Sequence, residues 1–215
     1  MTTIALSRLH FPVTTLGPGR RVGVWVQGCS IRCPGCISAD TWAAGRGMTT
    51  VDAVAAAVEP WLEEADGITV SGGEPFDQPD ALLALLRALR ARTDIDVLVY
   101  SGHPVERIAP WLAAADGLID ALISDPYLDH APQTLPLRGS DNQRLHLLTD
   151  LGRRVFAAYE RPSPAPERRF DVMFDADGQV FLAGIPPRGD LARLRAALAA
   201  AGHAAWTSQA PGSAA

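Results

Sequence analysis

Residues Val26–Trp42 read VQGCSIRCPGCISADTW, and they carry all three cysteines of a 215-residue chain, Cys29, Cys33 and Cys36, within eight positions. The spacing Cys-x3-Cys-x2-Cys is short enough to wrap one metal centre, with Pro34 and Gly35 supplying the bend between the last two thiols. Structural zinc normally takes four protein ligands, and a fourth cysteine is absent. His10 and His103 are the candidates to complete a zinc site, but neither stands at motif spacing. An iron-sulfur cubane held by three thiolates keeps one iron open to another ligand. A cluster that only carries electrons, or a zinc-stabilised interaction module, remains an alternative on the thiols alone.

Outward from this loop the chain alternates between strand and helix. RVGVWVQG (Arg21–Gly28) leads into the cysteines as a strand. Thr49 stands three residues before Asp52 in a capping pattern, and Val51, Val54, Ala55, Val58 and Leu62 share a helical face, predicting a helix that ends near Gly67. GITVSGGEP reads as a buried strand entering a glycine turn, and Pro79 opens a helix with a Leu82, Leu85, Leu86, Leu89 stripe. IDVLVY (Ile95–Tyr100), VERIAPWLAAADG and LIDALIS (Leu118–Ser124) continue the pattern to four strand-helix units. Such alternation implies an α/β fold with parallel strands and right-handed crossovers. The loops after these strands then gather at one sheet edge, where sites in parallel architectures assemble.

Beyond Leu148 the texture changes. RPSPAPERR (Arg161–Arg169) is a proline-rich connection, followed by two strand-like runs about DADG that predict a hairpin. Asp175, Asp177 and Gly178 suit a turn; a calcium loop would need a bidentate Glu near its end, where Pro186 stands. PPRGDLARLRAALAAAG predicts a helix, HAAWTS a final edge strand, and residues 209–215 a disordered tail. The expected division is a core over 1–148 and a small α+β extension over 149–208.

Composition narrows the function. With 47% apolar and 20% charged residues, and no apolar run near the roughly 20 residues of a spanning helix, the chain reads as a globular protein without a membrane role. MTTIALSRLHFPVTT lacks the pattern of a secretory signal, which predicts a cytoplasmic protein with reduced thiols. A net charge of -5 argues against nonspecific nucleic-acid binding. All 19 basic residues are arginine, which removes any mechanism that needs a lysine amine.

Taken with SGGEP, the three-cysteine spacing resembles the signature of the radical S-adenosylmethionine (SAM) superfamily. GPGRR (Gly17–Arg21), GCSIRCPGC with Thr41 and Trp42, SGGEP, YSG and LRGSDNQR (Leu137–Arg144) together resemble the anaerobic ribonucleotide reductase activating enzymes, in family order over about residues 10–148. The resemblance implies a compact, partial (β/α) barrel. It implies a single [4Fe-4S] cluster on Cys29, Cys33 and Cys36, with SAM on the open iron. Backbone at Gly72 and Gly73 and the carboxylate of Glu74 would hold the SAM amino group, Gly35 would face the adenine, and Ser101, Asp125 and Arg138 would add contacts. Reductive cleavage of SAM would yield methionine and a 5'-deoxyadenosyl radical that abstracts hydrogen. The implied partners are a glycyl-radical enzyme and an external low-potential electron donor. A small molecule or peptide is the alternative substrate, with residues 149–215 covering the pocket. His103 and His146 read as structural or surface residues.

Overall fold

A computed structural model describes residues 1–162, 170–174, 180–204 and 206–209. The elements run β1 (Thr3–Val13), β2 (Arg21–Val26), β3 (Met48–Thr50), α1 (Val51–Val58), β4 (Gly67–Gly72), α2 (Pro79–Arg90), β5 (Asp96–Tyr100), α3 (Val105–Ala114), β6 (Ala121–Ser124), β7 (Arg144–Leu147), α4 (Asp150–Phe156), β8 (Phe170–Phe174), β9 (Val180–Gly184) and α5 (Asp190–Ala200). Seven strands form one sheet in the order β3-β1-β2-β4-β5-β6-β7. Its centre, β2-β4-β5-β6, is parallel, and β1, β3 and β7 are antiparallel to their neighbours.

The period-two alternation of the central strands divides the core. Val22, Val24, Val26, Ile68, Val70, Val97, Val99 and Leu122 pack with the apolar stripes of α1, α2 and α3. All three crossover helices thus lie on one face. In α2 the predicted stripe of Leu82, Leu85, Leu86 and Leu89 is fully buried, each side chain contributing about 1.5–3 kcal/mol. On the opposite face Leu98, Ala121 and Ile123 pack with Phe156 of α4, while Trp25 meets Val13, Leu16 and the inner side of the β8-β9 hairpin.

Several expectations are corrected by the structure. Helix α1 ends at Val58 and not near Gly67, because Pro60 tightens the next turn into a 3-10 segment, and its cap is Thr50, whose hydroxyl accepts from Ala53 N. The fourth parallel strand, β6, has no crossover helix after it; a loop returns the chain as antiparallel β7. The C-terminal helix starts at Asp190, since Gly189 adopts φ +82°. HAAWTS forms no strand among the described residues. Trp206 is exposed, and the Ser208 hydroxyl and Gln209 amide bond to carbonyls of the cysteine loop in place of a backbone ladder. Gln209 is therefore anchored and not part of a free tail. The DADG turn and residues 210–215 lie outside the described residues. No described helix is long and apolar enough to cross a membrane.

Candidate functional site

The loops after β2, β4 and β5 meet at the carboxyl edge of the parallel strands, around a pocket of about 230 Å³. All three cysteines line it, together with Gly35, the Gly72–Glu74 turn and Ser101. The cysteine loop is a closed excursion from β2. Gly28 N donates to Thr41 O at 2.7 Å, Cys29 N to Trp42 O at 3.2 Å and Cys36 N to Cys33 O at 3.1 Å. The Thr-Trp pair noted in the sequence is thus the point where the loop returns.

The glycine turn sits directly on this loop. Gly73 N donates to Val26 O and Glu74 N to Gly28 O, both at 2.8 Å. A side chain at Gly73 would drive into the Gly28 carbonyl, and Gly72, at φ +104°, would bring a Cβ within 2.6 Å of the Val26 backbone. Close approach of two backbones therefore dictates both glycines. Glu74 is buried and ties the second loop to the third: Oε1 accepts from Phe76 N (3.0 Å) and Ser101 Oγ (2.9 Å), and Oε2 from Gly102 N (2.8 Å). Burial pushes its carboxyl pKa up, against the pull of these donors.

Asp77, which the sequence did not single out, fastens the cysteine loop from the same side. It accepts from Ser30 N at 2.6 Å and Ser30 Oγ at 2.8 Å, and stands 3.4 Å from His103 Nε2. Nothing distinguishes this Asp from a turn residue in the sequence, although it lies only three positions after Glu74. His103 is buried, and His146 contacts Ser124 Oγ at 2.9 Å.

Asp125 and Arg138 are not brought to the pocket wall. Asp125, at φ +81°, pairs with Arg144 (2.7 Å), which also grips Glu106 through two bonds at 2.7 and 2.8 Å. Arg138 is buried behind the wall and donates to Tyr159 O at 3.1 Å. What LRGSDNQR does locally is hold the loop after β6. Gln143 accepts from Gly139 N (2.9 Å) and donates to Asp125 O (3.1 Å), Asn142 donates to Pro126 O (2.8 Å), and Ser140 Oγ accepts from Leu128 N (3.0 Å). This sets Tyr127, Gly139 and Gln143 on the pocket wall, a contribution the sequence did not reveal. GPGRR serves the other end of the sheet, where buried Arg21 donates to Asp96 (2.5 Å), Thr69 (2.7 Å) and Ile68 O (2.8 Å).

The donor set fits a thiolate-ligated cluster. Burial raises the pKa of all three thiols, that of Cys33 to about 11, so they stay neutral at neutral pH until a cation stabilises the thiolates. Beside Cys36 the buried Trp42 indole N–H favours the thiolate as a donor toward its sulfur. Among the described residues no group of three His, Cys, Asp or Glu side chains is gathered tightly enough for a single metal ion.

Three half-buried thiols and a glycine turn share one parallel-sheet edge, a layout suited to a cluster-binding enzyme, and comparison with known proteins gives the class. A 4Fe-4S single cluster domain profile matches residues 15–146, more than half of the chain, and the chain belongs to that family. The anaerobic ribonucleoside-triphosphate reductase-activating protein of Escherichia coli (strain K12) is 30% identical over 149 residues, 65% of this chain and 96% of the relative. That of Enterobacteria phage T4 is 32% identical over 141 residues, 62% of this chain and 88% of the relative. The pyruvate formate-lyase-activating enzyme of Listeria monocytogenes is 39% identical over 106 residues, 44% of this chain and 42% of the relative. The chain is accordingly a radical SAM enzyme, with a [4Fe-4S] cluster and SAM as cofactors.

Proposed function

We propose that the chain is a glycyl-radical activase, acting on a partner such as an anaerobic ribonucleotide reductase and drawing electrons from an external low-potential donor. The observation that carries this reading is the shared pocket of Cys29, Cys33, Cys36 and the Gly72–Glu74 turn, in a chain whose relatives are named as activating proteins. The arrangement of α1, α2 and α3 on one face, with the pocket at the strand ends, supports the partial barrel that the resemblance implies.

Cys29, Cys33 and Cys36 would hold three irons of the cluster. When bound, the cluster and SAM supply a carbon-centred radical able to abstract hydrogen. Glu74 uses three of its acceptor sites on Phe76, Ser101 and Gly102, so the remaining lone-pair direction is the one it can offer an ammonium group. Ser101 acts through Glu74, orienting its carboxylate. Gly72 and Gly73 let the turn lie against the Val26 and Gly28 backbone, which sets it at the pocket wall where its polar groups would face the cofactor. Gly35, at φ +74° and packed against Tyr127 and Asp129, offers its backbone to the nucleoside. We assign Asp125 and Arg138 to support of the loops behind the wall. Apolar groups such as Trp25 and Ile31 on the lining exclude water from the reacting centre.

The test is electron paramagnetic resonance of an anaerobic ribonucleotide reductase incubated anaerobically with the reconstituted enzyme, SAM and reductant. A glycine-centred doublet is expected. SAM turnover without that doublet, but with hydrogen loss from a small metabolite, would replace this reading with the small-substrate one. That second reading draws on the C-terminal segments that narrow the pocket.

A further inference from the structure

Residues 182–189, Leu191 and Gln209 line the same pocket as the three cysteines, yet they lie beyond residue 146, where the family match ends. We infer that these C-terminal segments form the outer wall of the cofactor pocket, so that the chain encloses SAM between its cysteine-bearing core and its own extension. The inference rests on the reading that SAM occupies this pocket.

The wall is anchored at four separate places. The Asp171 carboxylate of β8 accepts from Thr14 N (2.7 Å), Thr14 Oγ1 (2.8 Å), Thr15 N (3.0 Å) and Thr15 Oγ1 (2.7 Å). The inner side of the hairpin buries Met173 and Ala183 against Val13, Leu16 and Trp25. The segment leaving β9 is tied to the loop after β6, where Gln133 donates to Pro186 O at 3.2 Å and Arg188 donates to the carbonyls of Leu128 and Ala131. The end of the described chain reaches the cysteine loop itself: Ser208 Oγ donates to Ile37 O at 3.0 Å and Gln209 Nε2 to Gly35 O at 3.4 Å.

The chemistry of this wall selects which part of SAM it meets. Leu182, Ile185, Pro187 and Leu191 offer apolar surface, unsuited to the zwitterionic amino-acid end, which needs the polar groups of the Gly72–Glu74 side. A nucleoside has flat apolar faces and a polar edge. The Gln209 amide, carrying both donors and an acceptor beside Gly35, matches such an edge. The extension therefore contacts the nucleoside.

The experiment is hydrogen-deuterium exchange on the cluster-loaded full chain with and without SAM, paired with calorimetric SAM affinity of Arg188→Ala and Gln209→Ala. SAM is expected to slow exchange at least threefold in peptides covering 182–191 and 206–209 as well as 71–76. Both variants should keep their iron content and bind SAM several-fold more weakly. Protection confined to the core, with affinity unchanged in both variants, would overturn the wall while leaving the cofactor reading intact. Failure of the cluster-loaded protein to bind SAM at all would overturn both.

Discussion

The inner and outer walls of the pocket are built from different bonds. On the inner side, backbone hydrogen bonds join the cysteine loop to the glycine turn, the buried Glu74 carboxylate ties that turn to the loop after β5, and contacts are so close that only glycine fits at positions 72 and 73. The outer side is fastened by side chains reaching carbonyls, Arg188 and Gln209 among them, and by a small apolar cluster around Trp25. Backbone ladders of the inner kind fix positions to fractions of an ångström, as cluster chemistry requires. Side-chain tethers permit opening, as entry of a large cofactor requires. The difference sets a wall fixed largely by backbone against one held by side chains.

The contrast can be broken experimentally at graded cost. Cys33→Ala should abolish both cluster retention and SAM cleavage, read by iron and sulfide content and by product analysis. Asp96→Ala leaves the fully buried Arg21 guanidinium without its carboxylate, and urea denaturation should record a loss of about 3–5 kcal/mol. Gly73→Ala forces a methyl group against the Gly28 carbonyl and should cost about 1–3 kcal/mol, with lower cluster yield on reconstitution. Asp171→Ala strips four hydrogen bonds from the hairpin. It should leave the core transition within roughly 1 kcal/mol of wild type while limited proteolysis near residues 170–184 accelerates. Equal destabilisation of the core by Asp171→Ala would erase the distinction between the two walls.

The sequence was legible where one physical pattern acted alone. The leucine stripe of α2 and the buried runs of β4 and β5 stand out because each follows a single period. β1 escaped notice because register shifts between Leu6 and Arg8 and between His10 and Val13 break its alternation. β7 is four residues long and half-exposed, too short to carry a signal. The cysteines and SGGEP converge as expected from their positions after parallel strands, whereas Asp125 and Arg138 bind partners that no local pattern reveals. Asp77 and Asp171 escaped for the same reason: each pins a segment distant in sequence, and a lone Asp looks like any turn residue. The outer wall depends wholly on such long-range contacts.

The most direct test of the account is anaerobic reconstitution of the cluster followed by measurement of 5'-deoxyadenosine released from SAM with a strong reductant, in the wild-type chain and in Cys29→Ala, Cys33→Ala and Cys36→Ala. The account predicts release by the wild type and none by the three variants. A wild-type protein that assembles a full cluster yet leaves SAM uncleaved would contradict it.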